Sequence, residues 1–152
     1  MADSSRSNDD TVPGSTYRTL LQFALLGTEL GEIQRAATIA RALCELRPDL
    51  PQAGIVLAMN DFCSENMDKG IHELQSTLDK FPDSQLAKAI LAVCLHVAGR
   101  SGWRALLEEV IEDGRDEYAI GLACSILGRP NGVPDEPEAL QATTFPSHAM
   151  WA

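Results

Sequence analysis

The sequence predicts an all-α protein built from antiparallel helix-turn-helix repeats, and three observations lead to this fold class. Leucine and alanine dominate the apolar residues, whereas aromatic residues make up only 5% of the chain. Such a composition favours helices. No segment alternates apolar and polar residues over the length of a strand. The third observation is a spacing, because "RPDL" at residues 47–50 and "FPDS" at residues 81–84 stand 34 positions apart.

Helix-breaking residues and apolar spacing divide the middle of the chain into seven short helices. Gly31 and Pro48 end the first two, since glycine favours a helix C-cap and proline cannot continue a helix. Pro51 fits the first turn of the third helix, where a missing N–H is tolerated. Pro82 ends the fourth helix, and Gly99 is the expected C-cap of the fifth. The helices are predicted over residues 17–28, 32–46, 51–66, 67–80, 84–98, 102–112 and 116–127.

The 34-residue spacing recurs as columns of matched residues along the chain. Two helices in 34 residues is the period of the tetratricopeptide (TPR) repeat, and the short loops make consecutive helices antiparallel. The sequence therefore predicts a TPR-like superhelical bundle of about three degenerate repeats plus a capping helix. The third repeat departs from the pattern at Asp116, where proline is expected, and the second at Glu65, where glycine is expected. The columns are Phe23, Leu57 and Leu91; Ala24, Ala58 and Ala92; Gly31 and Gly99; Pro48 and Pro82; Asp49 and Asp83; Ala36 and Gly70.

Composition also predicts three segments. Residues 1–15 are rich in serine, aspartate and asparagine, which predicts a disordered N-terminal lead. Residues 16–128 form the helical domain. Residues 129–152 carry four prolines and little periodicity, which predicts an irregular tail. Met150 and Trp151 near its end would dock either on the domain or on a neighbouring molecule.

Charge and targeting signals exclude several classes of partner. The net charge of −10 argues against nucleic acid and against an anionic membrane surface. It fits either an acidic coat for solubility or an acidic face offered to a basic partner. No signal peptide and no membrane span are evident, so we expect a cytoplasmic protein without membrane insertion. The cysteines are expected to be buried free thiols, as in a reducing compartment; they are Cys44, Cys63, Cys94 and Cys124.

The residues indicate no catalytic, cofactor-binding or metal site, and we expect a protein that is not an enzyme. The helical histidines, His72 and His96, lack a second ligand at helical spacing, and no phosphate-binding or nucleophile motif occurs. Trp103 is either a packing wedge between the third repeat and the capping helix or a binding hot spot.

Binding is the remaining function, and the repeat register predicts its surface. The first helix of each pair would line a concave groove with apolar side chains, while its opposite face, including Leu20 and Phe23, would be buried by stacking. Such a patch is rarely left uncovered. It would be filled either by the tail or a second copy of the chain, or by the amphipathic helix of a partner. The predicted groove residues are Leu21, Leu25, Ile55, Met59, Phe62, Leu86, Val93 and His96.

The segments "LLQFALLGTELGEIQRAATIARALCELRPDLPQA" and "AKAILAVCLHVAGRSGWRALLEEVIE" resemble the HrpK-type proteins of bacterial type III secretion clusters. More loosely, the chain is similar to the YscG-like chaperones of needle subunits. The resemblance, over about residues 17–127, implies an accessory protein that holds a needle subunit or another helical secretion component in an apolar groove. Alternatives that it leaves open are an exported periplasmic assembly factor contacting peptidoglycan, reached through the secretion apparatus, and a homo-oligomeric component of the apparatus.

Overall fold

A computed structural model describes residues 12–129, which form seven α-helices and contain no strand. The predicted lead and tail lie outside these residues except for 12–15 and 129, and so do Met150 and Trp151. The helices are α1 (Gly14–Glu29), α2 (Ile33–Leu46), α3 (Gln52–Cys63), α4 (Met67–Lys80), α5 (Gln85–Val97), α6 (Trp103–Asp113) and α7 (Glu117–Leu127).

The N-terminal end of α1 corrects one predicted boundary. Gly14 and Ser15, assigned from composition to a disordered lead, form the first turn of α1. Pro13 stands at the N-cap, and its carbonyl accepts a hydrogen bond of 3.0 Å from the Tyr17 amide. Proline near a helix start is favoured because its φ angle is already close to helical values. A local start signal therefore overrides the polar composition of the segment.

The helices stack as antiparallel pairs. Each helix packs against the next one along the chain, and α1, α3, α5 and α7 also pack against one another in that order. Within the described residues, no such packing joins α2, α4 and α6. The odd-numbered helices therefore form a continuous inner layer, which the even-numbered helices cover on one side. The predicted fold class, an all-α bundle of helix-turn-helix repeats, is confirmed.

Two apolar clusters hold this stack together. The larger joins α1 through α5 and includes the fully buried Leu43, Ile55 and Leu74. The smaller joins α5, α6 and α7 around Leu107 and Val110. Burial of these side chains supplies most of the driving force, since a fully buried aliphatic side chain contributes roughly 1.5–3 kcal/mol.

Small residues set the distance between paired helices. A Cβ on Gly27 in α1 would lie 3.2 Å from the Cβ of Ala36 in α2. In the next pair, a Cβ on Gly70 in α4 would lie only 2.6 Å from the carbonyl oxygen of Ala58 in α3. Ala36 and Gly70 occupy the same repeat position. The column of small residues is therefore the place where the second helix of a pair crosses the first.

The substitution of Asp116 for the repeat proline is explained by helix capping. Asp116 is the N-cap of α7, and its carboxylate accepts hydrogen bonds of 3.0 Å from the amides of Tyr118 and Ala119. Ser84 caps α5 by accepting from Ala87. Both side chains occupy amides that the first turn of a helix leaves without partners. The helix that follows the third repeat, α7, thus begins with a capping aspartate at the position where the two earlier repeats have proline.

The substitution of Glu65 for glycine leaves the backbone conformation of the repeat unchanged. Gly31 and Gly99 have φ angles of 76° and 67°, and Glu65, at the equivalent position, has a φ of 67°. This left-handed conformation brings the Cβ of an L-residue too close to the carbonyl oxygen. The backbone at Glu65 is therefore strained, because it adopts a conformation that favours glycine.

We expect Glu65→Gly to raise the free energy of unfolding by about 1 kcal/mol, because relief of the left-handed strain outweighs the extra flexibility of glycine in the unfolded chain. Urea denaturation measures the change. Glu65→Ala is the matched control, since it removes the same side chain but keeps the Cβ. Equal stabilisation by both variants would mean that the carboxylate, and not the backbone, is responsible.

Candidate partner-binding site

The structure places four of the eight predicted groove residues inside the protein. Leu21, Leu25, Ile55 and Leu86 are buried, with Leu21 only 1% exposed, and all four belong to the larger apolar cluster. The prediction that they line an open groove is wrong. The physical reason is that the odd-numbered helices pack directly on one another, so these positions face neighbouring helices instead of solvent.

The other four predicted residues remain accessible. Met59, Phe62 and Val93 are half-buried, and His96 is exposed. Met59 and Val93 stand 34 positions apart, as do Phe62 and His96, so two equivalent repeat positions recur on the neighbouring helices α3 and α5. We call these four residues the α3–α5 surface. It lies toward the C-terminal ends of both helices.

Trp103 fixes one end of the α3–α5 surface. Its ring centroid lies 4.2 Å from that of His96, and the two rings are tilted by 47°. The indole packs partly buried against the smaller apolar cluster, and the Arg104 guanidinium lies 4.5 Å from its centroid. Trp103 therefore packs as a wedge between α5 and α6, and it also holds the His96 ring against the surface.

A charged group borders the same surface beside Phe62. The Lys69 ammonium lies 3.0 Å from a carboxylate oxygen of Asp61 and 3.7 Å from one of Glu73. Burial raises the pKa of Glu73, and hydrogen bonding to the Asp61 carboxyl raises it further. The Glu73 carboxyl thus resists ionisation more than a solvated glutamate does. An apolar patch with a mixed-charge rim is typical of protein interfaces.

A second apolar surface corrects the prediction for Phe23. Stacking was expected to bury Phe23, yet its side chain is 59% exposed. Leu91, at the equivalent repeat position, is buried. Phe23 is exposed because no described helix pair precedes α1 and covers this face. With Leu26 and Leu30, which are also exposed, it forms what we call the α1 stripe.

The prediction of four buried free thiols is correct only in part. All four thiols are free. Cys94 and Cys124 are buried, and burial raises the pKa of Cys94 to about 12. Cys63 is exposed, so the prediction of burial is wrong for this residue. It is the last residue of α3.

Comparison with known proteins identifies the family. Residues 9–131 match the model of a family described as bacterial type III secretion protein (HrpB1_HrpK). The chain belongs to this family. The resemblance inferred from the residues is thereby confirmed over most of the chain. Neither the curated proteins nor the solved structures contain a match to it.

Membership of the HrpB1_HrpK family places the α3–α5 surface in a type III secretion protein. Among the described helices of this family member, none combines the length and apolarity needed to cross a membrane. The α3–α5 surface and the α1 stripe are the two apolar surfaces described above.

Proposed function

We propose that this chain is a non-enzymatic accessory protein of bacterial type III secretion that binds a helical component of the apparatus, as a chaperone does. The binding site is the part of the predicted groove that remains accessible, the α3–α5 surface. One observation carries the proposal. Four partly exposed side chains occupy two equivalent repeat positions on adjacent helices, in a chain of a type III secretion family.

The shape of the α3–α5 surface favours a helix as the bound element. Met59 and Phe62 are three residues apart on α3, and Val93 and His96 are three residues apart on α5, so each pair faces one side of its helix. On two neighbouring helices, such pairs would border a shallow groove. Apolar grooves of this kind accept the apolar face of an amphipathic helix. The unbranched thioether of Met59 would adapt to the shape of the partner.

The partner in this proposal is the needle subunit or another helical secretion component, held in the cytoplasm before export. A helical subunit that polymerises exposes an apolar face before assembly, and such a face aggregates when it is uncovered. Covering it on the α3–α5 surface would keep the subunit soluble. Export of the chain itself through the apparatus remains compatible with the same binding surface.

The test is co-purification of the needle subunit from the same secretion system with the variant Val93→Glu/His96→Glu. Two carboxylates on the surface would have to be desolvated on binding, and we expect affinity to fall at least about 30-fold. Both residues have exposed surface, so the circular dichroism spectrum should remain that of the wild type. Normal binding by this variant would refute the α3–α5 surface.

Phe23→Glu/Leu26→Glu is the matched control, because it adds two carboxylates to the α1 stripe. It should leave binding of the needle subunit unchanged. The exposed α1 stripe favours a second candidate function, a homo-oligomeric component of the apparatus. Light scattering on both variants distinguishes these two candidate functions. Loss of a wild-type oligomer in the α1 variant alone would support the structural component.

A further inference from the structure

A cleft of about 790 Å³ lies where the N-terminal ends of α3, α5 and α7 meet. This volume is within the range of sites that bind small ligands or short peptide segments. The cleft is distinct from the α3–α5 surface, which lies toward the opposite ends of the same helices. The accessible apolar residues of its lining are the partly exposed Pro51 and Tyr118, whereas Ile55 and Leu86 are buried.

Two glutamines in the cleft wall lack a hydrogen-bond partner for their side-chain oxygens. Gln85 is only 4% exposed, and its Nε2 donates a hydrogen bond of 2.9 Å to Asp113, yet its Oε1 has no donor. The Oε1 of Gln52 is likewise buried without a partner. A buried carbonyl oxygen without a donor is costly. Both glutamines line the cleft, so an N–H donor that reached their oxygens from the cleft would satisfy them.

The charged residues of the wall favour a cationic occupant. Asp83 and Glu117 are exposed carboxylates at the rim, and Asp116 is occupied in capping α7. Arg115 is the one cation among the described lining residues. Its guanidinium donates to Asp113 at 2.7 Å and to Asp83 at 3.4 Å. The arginine is therefore already engaged by carboxylates, and the remaining negative charge is available to a ligand.

Neither of the segments outside residues 12–129 carries the positive charge that would complement the acidic rim of the cleft. Residues 130–152 contain no lysine or arginine but three acidic residues, and residues 1–11 contain one arginine and three aspartates. A second copy of the chain brings a net charge of −10. Like charges across an interface oppose association. Charge complementarity thus indicates an occupant from a different protein.

We propose that this cleft is a second recognition site, which binds an extended, basic peptide segment of a partner protein. Aliphatic side chains of the segment lie against the partly exposed Pro51 and Tyr118. Its N–H donors satisfy the oxygens of Gln52 and Gln85, and its lysine or arginine side chains lie against Asp83 and Glu117. The site is independent of the helix-binding function proposed for the α3–α5 surface, so either can fail alone.

The probe is a fluorescein-labelled, end-capped pentapeptide that alternates leucine and arginine, and its binding to the full-length protein is followed by fluorescence anisotropy. We expect the arginine peptide to bind and its glutamate counterpart to bind at least about 10-fold more weakly. Asp83→Asn/Glu117→Gln should weaken binding about five-fold, because each exposed ion pair contributes modestly. Glu29→Gln/Glu65→Gln, which removes two carboxylates at the other end of the helices, should have no effect.

Gln52→Leu tests the role of the unpartnered oxygens. We expect it to raise the thermal midpoint, since an unsatisfied polar group is removed, and to weaken peptide binding. A higher midpoint with unchanged affinity would show that the glutamine oxygens do not contact the peptide. Equal binding of the arginine and glutamate peptides would refute the site, and so would equal affinity of the two double variants for the arginine peptide. Displacement of the chain's own tail by the peptide, seen as a shift of the Trp151 indole resonance, would also overturn it.

Discussion

Replacing Gly70 with alanine is expected to lower the free energy of unfolding by about 3 kcal/mol, the upper part of the range for overpacked interiors. The added Cβ would lie 2.6 Å from the carbonyl oxygen of Ala58 and 2.8 Å from the backbone nitrogen of Phe62. Both atoms belong to the backbone of α3, so no side-chain rotation relieves the overlap. The two helices must separate, and the apolar contacts between them weaken.

Gly14→Ala is the control for the same change where space is open. No atom lies within 4 Å of a Cβ built on Gly14 in the first turn of α1. Alanine is favoured over glycine in helices by up to about 1 kcal/mol, so this variant should be as stable as the wild type or more stable. Urea denaturation of both variants measures the difference. If Gly70→Ala were also neutral, the close crossing of α3 and α4 would be wrong.

The fold was predictable because the residues that determine it act locally and recur. Gly31, Pro48, Pro82 and Gly99 each stand just after the end of a helix, as predicted, and α4 has the predicted bounds. The column of Ala36 and Gly70 indicated where paired helices cross, and the structure places both residues at that contact. Such signals depend on backbone geometry within a few residues. A single sequence is therefore sufficient for the order and pairing of the helices.

The exposed surfaces were less predictable because they depend on how many helix pairs are present. Repeat register alone cannot distinguish Leu25, which is buried, from Met59, which is half-buried at the equivalent position. Phe23 differs from Leu91 only in having no preceding pair to cover it. The cleft was not anticipated because its walls come from residues about 34 and 68 positions apart. The column of Asp49 and Asp83, which Glu117 continues 34 residues later, was its one signal in the sequence.

Asn60 is the second residue whose substitution we expect to lower stability strongly, because its buried amide joins two helix pairs. The residue is only 1% exposed. Its Nδ2 donates a hydrogen bond of 2.8 Å to the carbonyl of Ile33, and its Oδ1 accepts one of 3.3 Å from the Thr28 hydroxyl. The amide thereby ties the turn between α1 and α2 to α3. Its geometry requires a donor on one side and an acceptor on the other.

We expect Asn60→Asp to lower the free energy of unfolding at pH 7 by about 4 kcal/mol, since a buried carboxylate would face the Ile33 carbonyl without a donor. The penalty has a definite pH dependence. Burial raises the pKa of such a carboxyl in the folded state, so the cost is complete above that pKa and is relieved as the pH falls through it. Urea denaturation at several pH values measures this recovery.

Asn60→Leu separates charge from lost hydrogen bonds. It removes the amide with little change in volume and leaves the Ile33 carbonyl without its donor, at a cost of roughly 1–3 kcal/mol that does not change with pH. If the aspartate and leucine variants were equally destabilised at every pH, the site would be hydrated and the amide would not be part of the core. A pH-dependent difference between them would establish the Asn60 amide as the dry contact that holds the first helix pair to the second.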